Sequence, residues 1–249
     1  MIKVILCAYN ESKNLKKLLV DLIYELKLTN KAFEIIFCID CSNDDSSSII
    51  KEFQDHHPIK IIPQENKRGL GIAYKRIFKY ILQENFNKDD IIISLDADNT
   101  HKAEQIIDMI KHFEDNSLDV LIASRFHEKS SVINFPLYRT FISISVATLL
   151  NLIFAVKNIS KKNIKDYTSG YRIYSSSKLK DLYNKLGDDF ILEPEFTYTS
   201  ELLIKLYQNN ARIDEFPIMY DYKSKIGNSK INLLKNFFRL IILITKLKN

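Results

Sequence analysis

The sequence predicts an α/β fold with a mostly parallel central sheet flanked by helices. Three observations carry that expectation. Short runs of β-branched and aliphatic residues alternate with longer stretches of helical period over the first two-thirds of the 249 residues. Strands joined by helices of this length pair in parallel, with helices on both faces. Polar residues collect just after several of those runs, where open α/β sheets bind their ligands.

The elements follow in order. Residues 2–9, IKVILCAY, read as a strand. In 11–27, Leu15, Leu18, Leu19, Leu22, Ile23 and Leu26 recur at helical spacing. Residues 33–40 form a second strand, and 44–55 open on Asp and Ser caps into a short helix. A third strand (59–64), a helix (70–85), a fourth strand (91–98), a helix (102–115) and a fifth strand (119–126) complete the alternation. Repeats and low-complexity segments are absent.

The composition narrows the function. Lys and Arg number 36 against 31 Asp and Glu, a formal charge of +5. That bias is too weak to argue for nucleic acid and suits anionic ligands or an anionic membrane surface. Three cysteines make no disulfide framework, so a reducing cytosol is the expected compartment. Cys38 and Cys41 form a CxxC, but residues three apart on a strand face opposite ways. No second CxxC or Cys/His pair completes a zinc site. No signal peptide is expected, and no apolar run reaches the ~20 residues of a confident membrane span.

Asp96 and Asp98 stand one residue apart at the mouth of the fourth strand. Alternate residues of an extended segment share a face, so both carboxylates point the same way. Clustered negative charge calls for protonation of one group or for a cation. A hard divalent ion, Mg²⁺ or Mn²⁺, held by carboxylates and substrate phosphates, meets that need. The alternative is a solvated turn with Asp98 capping the next helix.

These segments resemble family 2 glycosyltransferases of the GT-A fold, and among them the polyprenol-phosphate (dolichol-phosphate) sugar synthases. The resemblance rests on CAYNES (7–12), CIDCSNDDS (38–46), NKRGLGIAY (66–74), LDADNTH (95–101), ASRF (123–126), DYTSGYRIY (166–174), EFPIMY (215–220) and GNSKI (227–231). It implies a Rossmann-like GT-A domain with a nucleotide-diphosphate sugar lying across the strand ends. Ala8, Tyr9, Asn10, Glu11, Asp40, Gly69, Gly71, Asp96, Ala97 and Asp98 are then the expected donor-binding residues. Asp40 is assigned to base or ribose, and Asp96 and Asp98 to the metal and diphosphate. Asp98 is the first choice of direct ligand, with Thr100 a further one. Gly69 and Gly71 are expected to admit the donor to the backbone, or merely to lead into a helix, and Lys67 or Arg68 to meet phosphate. Cys41 and Ser224 depart from the family pattern, where a second Asp and an Arg are frequent.

A phosphate acceptor needs no general base, since its second pKa is about 6; it needs cations. The resemblance makes Arg125, Arg139 and Ser143 the acceptor-phosphate grip, with Arg125 counted as catalytic beside Asp96 and Asp98. The other reading of each arginine is a surface residue or structural ion pair. Asp166, Ser169, Arg172, Lys223, Lys225 and Lys230 are further active-site candidates. Glu193 and Glu195 are helix-start residues or, for a hydroxyl acceptor, candidate bases. His101 is a helix-entry or a catalytic residue; His56 and His57 are assigned nothing.

The apolar stretch 141–156 is expected as a buried core helix or as an interfacial helix admitting an isoprenoid chain. The tail 231–249 joins an apolar block to Lys235, Arg239, Lys246 and Lys248, which suggests an amphipathic helix on an anionic leaflet or one packed on the domain. The chain divides into a nucleotide-sugar half (1–130), an acceptor half (131–222) and a membrane-associating tail (223–249). The expected activity is inverting transfer of a sugar from a GDP- or UDP-sugar to a polyprenyl phosphate. Its expected place is the cytoplasmic membrane face, by peripheral attachment or through a membrane-embedded partner protein. The alternatives are transfer to a hydroxyl of a glycan or lipid, and a catalytically silent binding or scaffold protein.

Overall fold

The computed structural model describes residues 1–40, 42–64, 69–224, 226 and 233–248, with the side chains of all but Asp40, Gln64, Leu233, Leu234 and Phe237. The first half follows the expected alternation: β1 (Ile2–Ala8), α1 (Ser12–Leu28), β2 (Phe33–Asp40), α2 (Ser46–Gln54), β3 (Ile59–Gln64), α3 (Leu70–Gln83) and β4 (Ile91–Ser94). A 3₁₀ turn at Ala103–Gln105 leads into α4 (Ile106–Asp115), then β5 (Val120–Ser124), β6 (Ser131–Ile133) and α5 (Leu137–Phe154). The second half adds β7 (Arg172–Ser175), α6 (Ser176–Leu186), α7 (Tyr198–Gln208), β8 (Ile213–Pro217), β9 (Met219–Asp221) and α8 (Leu233–Lys248).

Seven strands form the main sheet in the order β3-β2-β1-β4-β7-β5-β8. All neighbours pair in parallel except β7, which runs antiparallel to both β4 and β5. β7 has four residues and two of them are polar, so it carries no strand period for the sequence to betray. Its reversed direction matters. It brings the loop before it, Asp166 to Tyr171, to the same sheet edge as the carboxyl ends of β1, β4 and β5. A small parallel ladder of β6 and β9 lies beyond that edge.

Two apolar layers sandwich the sheet. Leu15, Leu18, Leu19 and Leu22 of α1 pack with α2 and α4 on one face. On the other, Ile77 and Phe78 of α3 pack with residues of α6 and α7. β4 stops at Ser94, four residues before the end expected for it, so Asp96 and Asp98 sit in a loop rather than on the strand.

α5 corrects the core-helix expectation. Ala147 and Leu150 are its buried residues, while Leu137 is 85% and Leu152 84% exposed. Its helix begins at Leu137, four residues ahead of the apolar stretch, and its 18 residues are long and apolar enough to cross a membrane by length and composition. α8 turns Leu240 and Leu243 into the core and leaves Phe238, Ile241 and Ile242 exposed.

Candidate active site

Two asparagines shape the turns at the sheet edge. Asn10 (φ 52°) and Asn99 (φ 63°) both adopt the left-handed conformation, which Asn tolerates better than most residues. Asn10 accepts a hydrogen bond from the Asn43 amide at 2.8 Å, and its own amide donates to Ser42 Oγ at 3.0 Å. Asp44 ties the same region together, accepting from the Ser12 amide at 3.0 Å and the Ser46 amide at 3.1 Å. Burial raises its pKa, but those bonds outweigh it and hold the carboxyl well below the usual range.

A cavity of about 510 Å³ opens at this edge. Ala8, Tyr9, Glu11, Asp96, Ala97 and Asp98 line it, together with Arg125, Arg139, Ser143 and Ser169. The topology therefore brings together residues from β1 and the turn after it, the loop after β4, the position just past β5, α5 and the loop before β7. Thr100 stands behind Asp98: its hydroxyl donates to Asp98 Oδ1 at 2.6 Å and its amide approaches the same oxygen at 3.2 Å. It is buried and absent from the lining, so it positions Asp98. Gly170 makes room for Asp96, since a Cβ there would lie 3.0 Å from Asp96 Oδ1. His101 also faces the cavity, with Nδ1 at 3.8 Å from Asp96 Oδ2, and burial lowers its pKa to about 4. It is neutral at pH 7.

Arg125 is clamped from behind. Asp166 receives its Nε at 2.8 Å and its NH2 at 2.7 Å, along with the Arg125 backbone amide at 3.0 Å. Burial would raise the Asp166 pKa; Arg125 reverses the shift and holds the carboxyl below its ordinary range. Glu215 in turn accepts the amides of Lys165 and Asp166 at 2.9 Å each. The guanidinium lies 5.4 Å from the Phe135 ring and 5.8 Å from that of Tyr220. Arg139 stands 5.7 Å from both Tyr138 and Tyr222. Sequence reasoning missed this aromatic setting: Phe135, Tyr220 and Tyr222 line the cavity, and no local pattern announces them.

Arg172 does not reach the cavity. It is fully buried, and its guanidinium donates to the backbone carbonyls of Thr199 at 2.6 Å and Tyr167 at 2.7 Å. Asp166 likewise lies beneath the lining. Gly69 lines the cavity, and both glycines also meet the chain's own backbone. A Cβ on Gly71 would lie 2.0 Å from the Glu193 carbonyl oxygen, and one on Gly69 2.4 Å from that of Pro194. The close approach they permit is to the chain's own Glu193–Pro194 backbone. Glu195 lines the cavity and pairs with Lys235 at 2.6 Å; Glu193 is buried, 3.5 Å from Arg239. Through Lys235, Asn236 and Leu240, α8 becomes part of the cavity wall. Lys223 is exposed and outside the lining. The Asp40 side chain, Cys41, Lys67, Arg68, Lys225, Gly227 and Lys230 lie outside the described residues. Cys7 is half-buried and Cys38 is buried.

The family model for Glycosyl transferase family 2 matches residues 3–183. The chain belongs to glycosyl transferase family 2. Among relatives of this family 2 glycosyltransferase, the dolichol-phosphate mannosyltransferase of Pyrococcus furiosus is 28% identical over 96% of the chain and 63% of the relative. The UDP-N-acetylglucosamine–dolichyl-phosphate N-acetylglucosaminyltransferase of Methanococcus voltae is 26% identical over 98% and 96%. In three dimensions the fold resembles glucosyl-3-phosphoglycerate synthase of Mycobacterium tuberculosis, solved with Mn²⁺, UDP-glucose and phosphoglyceric acid. The TM-score is 0.63 at 15% identity, over 99% of this chain and 78% of that one. TarS of S. aureus, solved with UDP, aligns with a TM-score of 0.61 at 18% identity, over 98% and 64%. The glycosyltransferase therefore has the GT-A fold. Its chain spans under two-thirds of the length of two of these relatives, the mannosyltransferase and TarS.

Proposed function

We propose that this glycosyltransferase moves one sugar, with inversion, from a nucleotide-diphosphate sugar to a polyprenyl phosphate. The observation that carries this reading is the meeting of two charge types in one cavity. Asp96 and Asp98 face it from the loop after β4, and Arg125 and Arg139 face it from just past β5 and from α5. Apolar Ile142, Val146 and Leu240 line the same cavity. Names of relatives that act on dolichyl phosphate support the acceptor class.

The chemistry follows from the charges. Arg125, Arg139 and Ser143 hold the acceptor phosphate, whose oxygen is already ionised and attacks the anomeric carbon. The bond from that carbon to the donor diphosphate breaks, and the nucleoside diphosphate leaves with the electron pair. Asp166 keeps the Arg125 guanidinium aimed, and the aromatic rings hold its plane. Tyr9, Glu11 and Ala97 wall the donor end.

Among the described residues, no group of three or more His, Cys, Asp or Glu is gathered as an all-protein metal cage requires. The Asp96–Asp98 pair fits a hard cation that takes its remaining oxygens from donor phosphates and water. Thr100 and Gly170 keep both carboxylates on the cavity. Mg²⁺ or Mn²⁺ bound there supplies neutralisation of the charge on the departing diphosphate.

The exposed apolar residues of α5 and α8, with Lys246 and Lys248, support peripheral association with the cytoplasmic leaflet. Incubation with a panel of nucleotide sugars, a polyprenyl phosphate and Mn²⁺ tests the reading: labelled product partitions into organic solvent. Label found only in water-soluble glycan sinks it. Asp98→Ala should lower turnover by about 10²-fold or more, as loss of a main charge-stabilising group does. No metal-dependent turnover with any donor would favour a silent binding protein. A hydroxyl acceptor remains the second reading because Glu195 lines the cavity. Glu195→Gln separates the two: a phosphate acceptor tolerates it and a hydroxyl acceptor does not.

A further inference from the structure

Asn14 is a buried residue in the first turn of α1, away from the cavity lining. Its Nδ2 donates to Glu11 Oε2 at 2.7 Å and to the Ile226 carbonyl at 3.2 Å. Its Oδ1 accepts from the Ile226 amide at 3.2 Å. Its own backbone carbonyl accepts from Asn99 Nδ2 at 2.8 Å. One residue thus joins the turn after β1, the loop that carries Asp96 and Asp98, and a segment 212 positions away.

The chemistry of the amide is used in full. Both Nδ2 hydrogens and the Oδ1 oxygen are engaged, and the group reads the Ile226 peptide on both its donor and its acceptor. Aspartate offers no donor and would set a second carboxylate against Glu11. Leucine or alanine would take this donor from the buried Glu11 carboxylate, which is costly, and both contacts from Ile226. A second contact holds the same segment. Lys102, just after the carboxylate loop, donates to Ser224 Oγ at 2.8 Å, and Ser224 donates to Asp221 Oδ2 at 3.1 Å. Tyr222, between these anchors, lines the cavity.

We propose that Asn14 is a positioning residue: it sets the Glu11 carboxylate in the donor end of the cavity and docks Ile226 against the turn that Asn99 of the carboxylate loop also meets. The donor class rests on the function proposed above; the docking does not.

Asn14→Ala and Asn14→Asp are compared with the wild type in the full chain. The probes are UDP and GDP, each with Mn²⁺, by calorimetry, and hydrogen exchange at the Ile226 amide. Asn14→Ala should speed Ile226 exchange at least about tenfold by opening the segment locally. Asn14→Asp keeps the acceptor for that amide and should speed it far less. Both should weaken the nucleotide bound by the wild type by roughly tenfold or more, the scale of a lost hydrogen bond to a charged group. Exchange in β1 and β4 should stay as in the wild type. Unchanged Ile226 exchange in Asn14→Ala overturns the proposal. So does unchanged nucleotide affinity, or a uniform rise in exchange across the sheet, which is the mark of a merely structural role. If the wild type binds neither nucleotide, the donor reading fails alone, and Ile226 exchange still decides the docking.

Discussion

Asp166 holds Arg125 through two parallel side-chain hydrogen bonds, Nε to Oδ2 at 2.8 Å and NH2 to Oδ1 at 2.7 Å. The carboxylate is wholly buried and the guanidinium is 10% exposed, facing the cavity. Removing one partner strands a buried charge, which costs about 3–5 kcal/mol. Asp166→Asn should therefore lower the melting temperature and nearly abolish turnover. The pair also sets an acid limit. The Asp166 pKa is lower in the folded chain than the ~3.9 of an unfolded one. Its contribution is full above that value and is lost as the pH falls below it toward the lower folded pKa. Melting curves from pH 7 to pH 3 should show a shallower acid loss in Asp166→Asn than in the wild type.

Gly71→Ala should destabilise the fold. Alanine favours a helix interior over glycine by about 1 kcal/mol. Here its Cβ would lie 2.0 Å from the Glu193 carbonyl oxygen, which is backbone and cannot swing aside. Overpacking costs about 1–3 kcal/mol and outweighs the propensity gain. Denaturant melts with a lower midpoint and an unchanged slope are the expected result; a more stable variant would contradict the packing described.

His101 makes the metal-free protein acid-sensitive. Burial lowers its pKa to about 4, against about 6.5 unfolded. The neutral ring's contribution is present above pH 6.5 and disappears as the pH falls toward 4, about 3 kcal/mol in all. His101→Phe should flatten that stretch of the stability profile in chelator-treated protein. A profile as steep as the wild type's would assign the loss elsewhere.

The outer face of α8 should bind lipid without supporting the fold. Ile241 and Ile242 are exposed. Each contributes on the order of 1.5–3 kcal/mol when buried in lipid. An Ile241→Asp, Ile242→Asp double variant should lose at least about a hundredfold in affinity for anionic vesicles, with its melting temperature unchanged. Equal sedimentation with vesicles would move the membrane contact off this helix.

The order of strands and helices through residue 124 was legible because each element carries its own period. The Asp96–Asp98 pair and the turn at Asn10 and Glu11 were legible because their chemistry is local. β7 was not, being four residues long and half polar. Nor was the exposure of α5, because an apolar run reads alike whether protein or solvent surrounds it.

By itself the sequence determined the parallel α/β frame and the motifs at its strand ends, since apolar period and side-chain type act over a few residues. Tertiary structure decided which of those residues work on one another. Arg125 meets Asp166 across 41 positions, and Gly71 meets Glu193 across the helix-to-loop contact. Asn14 reaches Ile226 across 212. Such pairings depend on the antiparallel entry of β7 and on the docking of distant loops at one sheet edge. Backbone direction and burial settle them, and neither is written in any short stretch of chain.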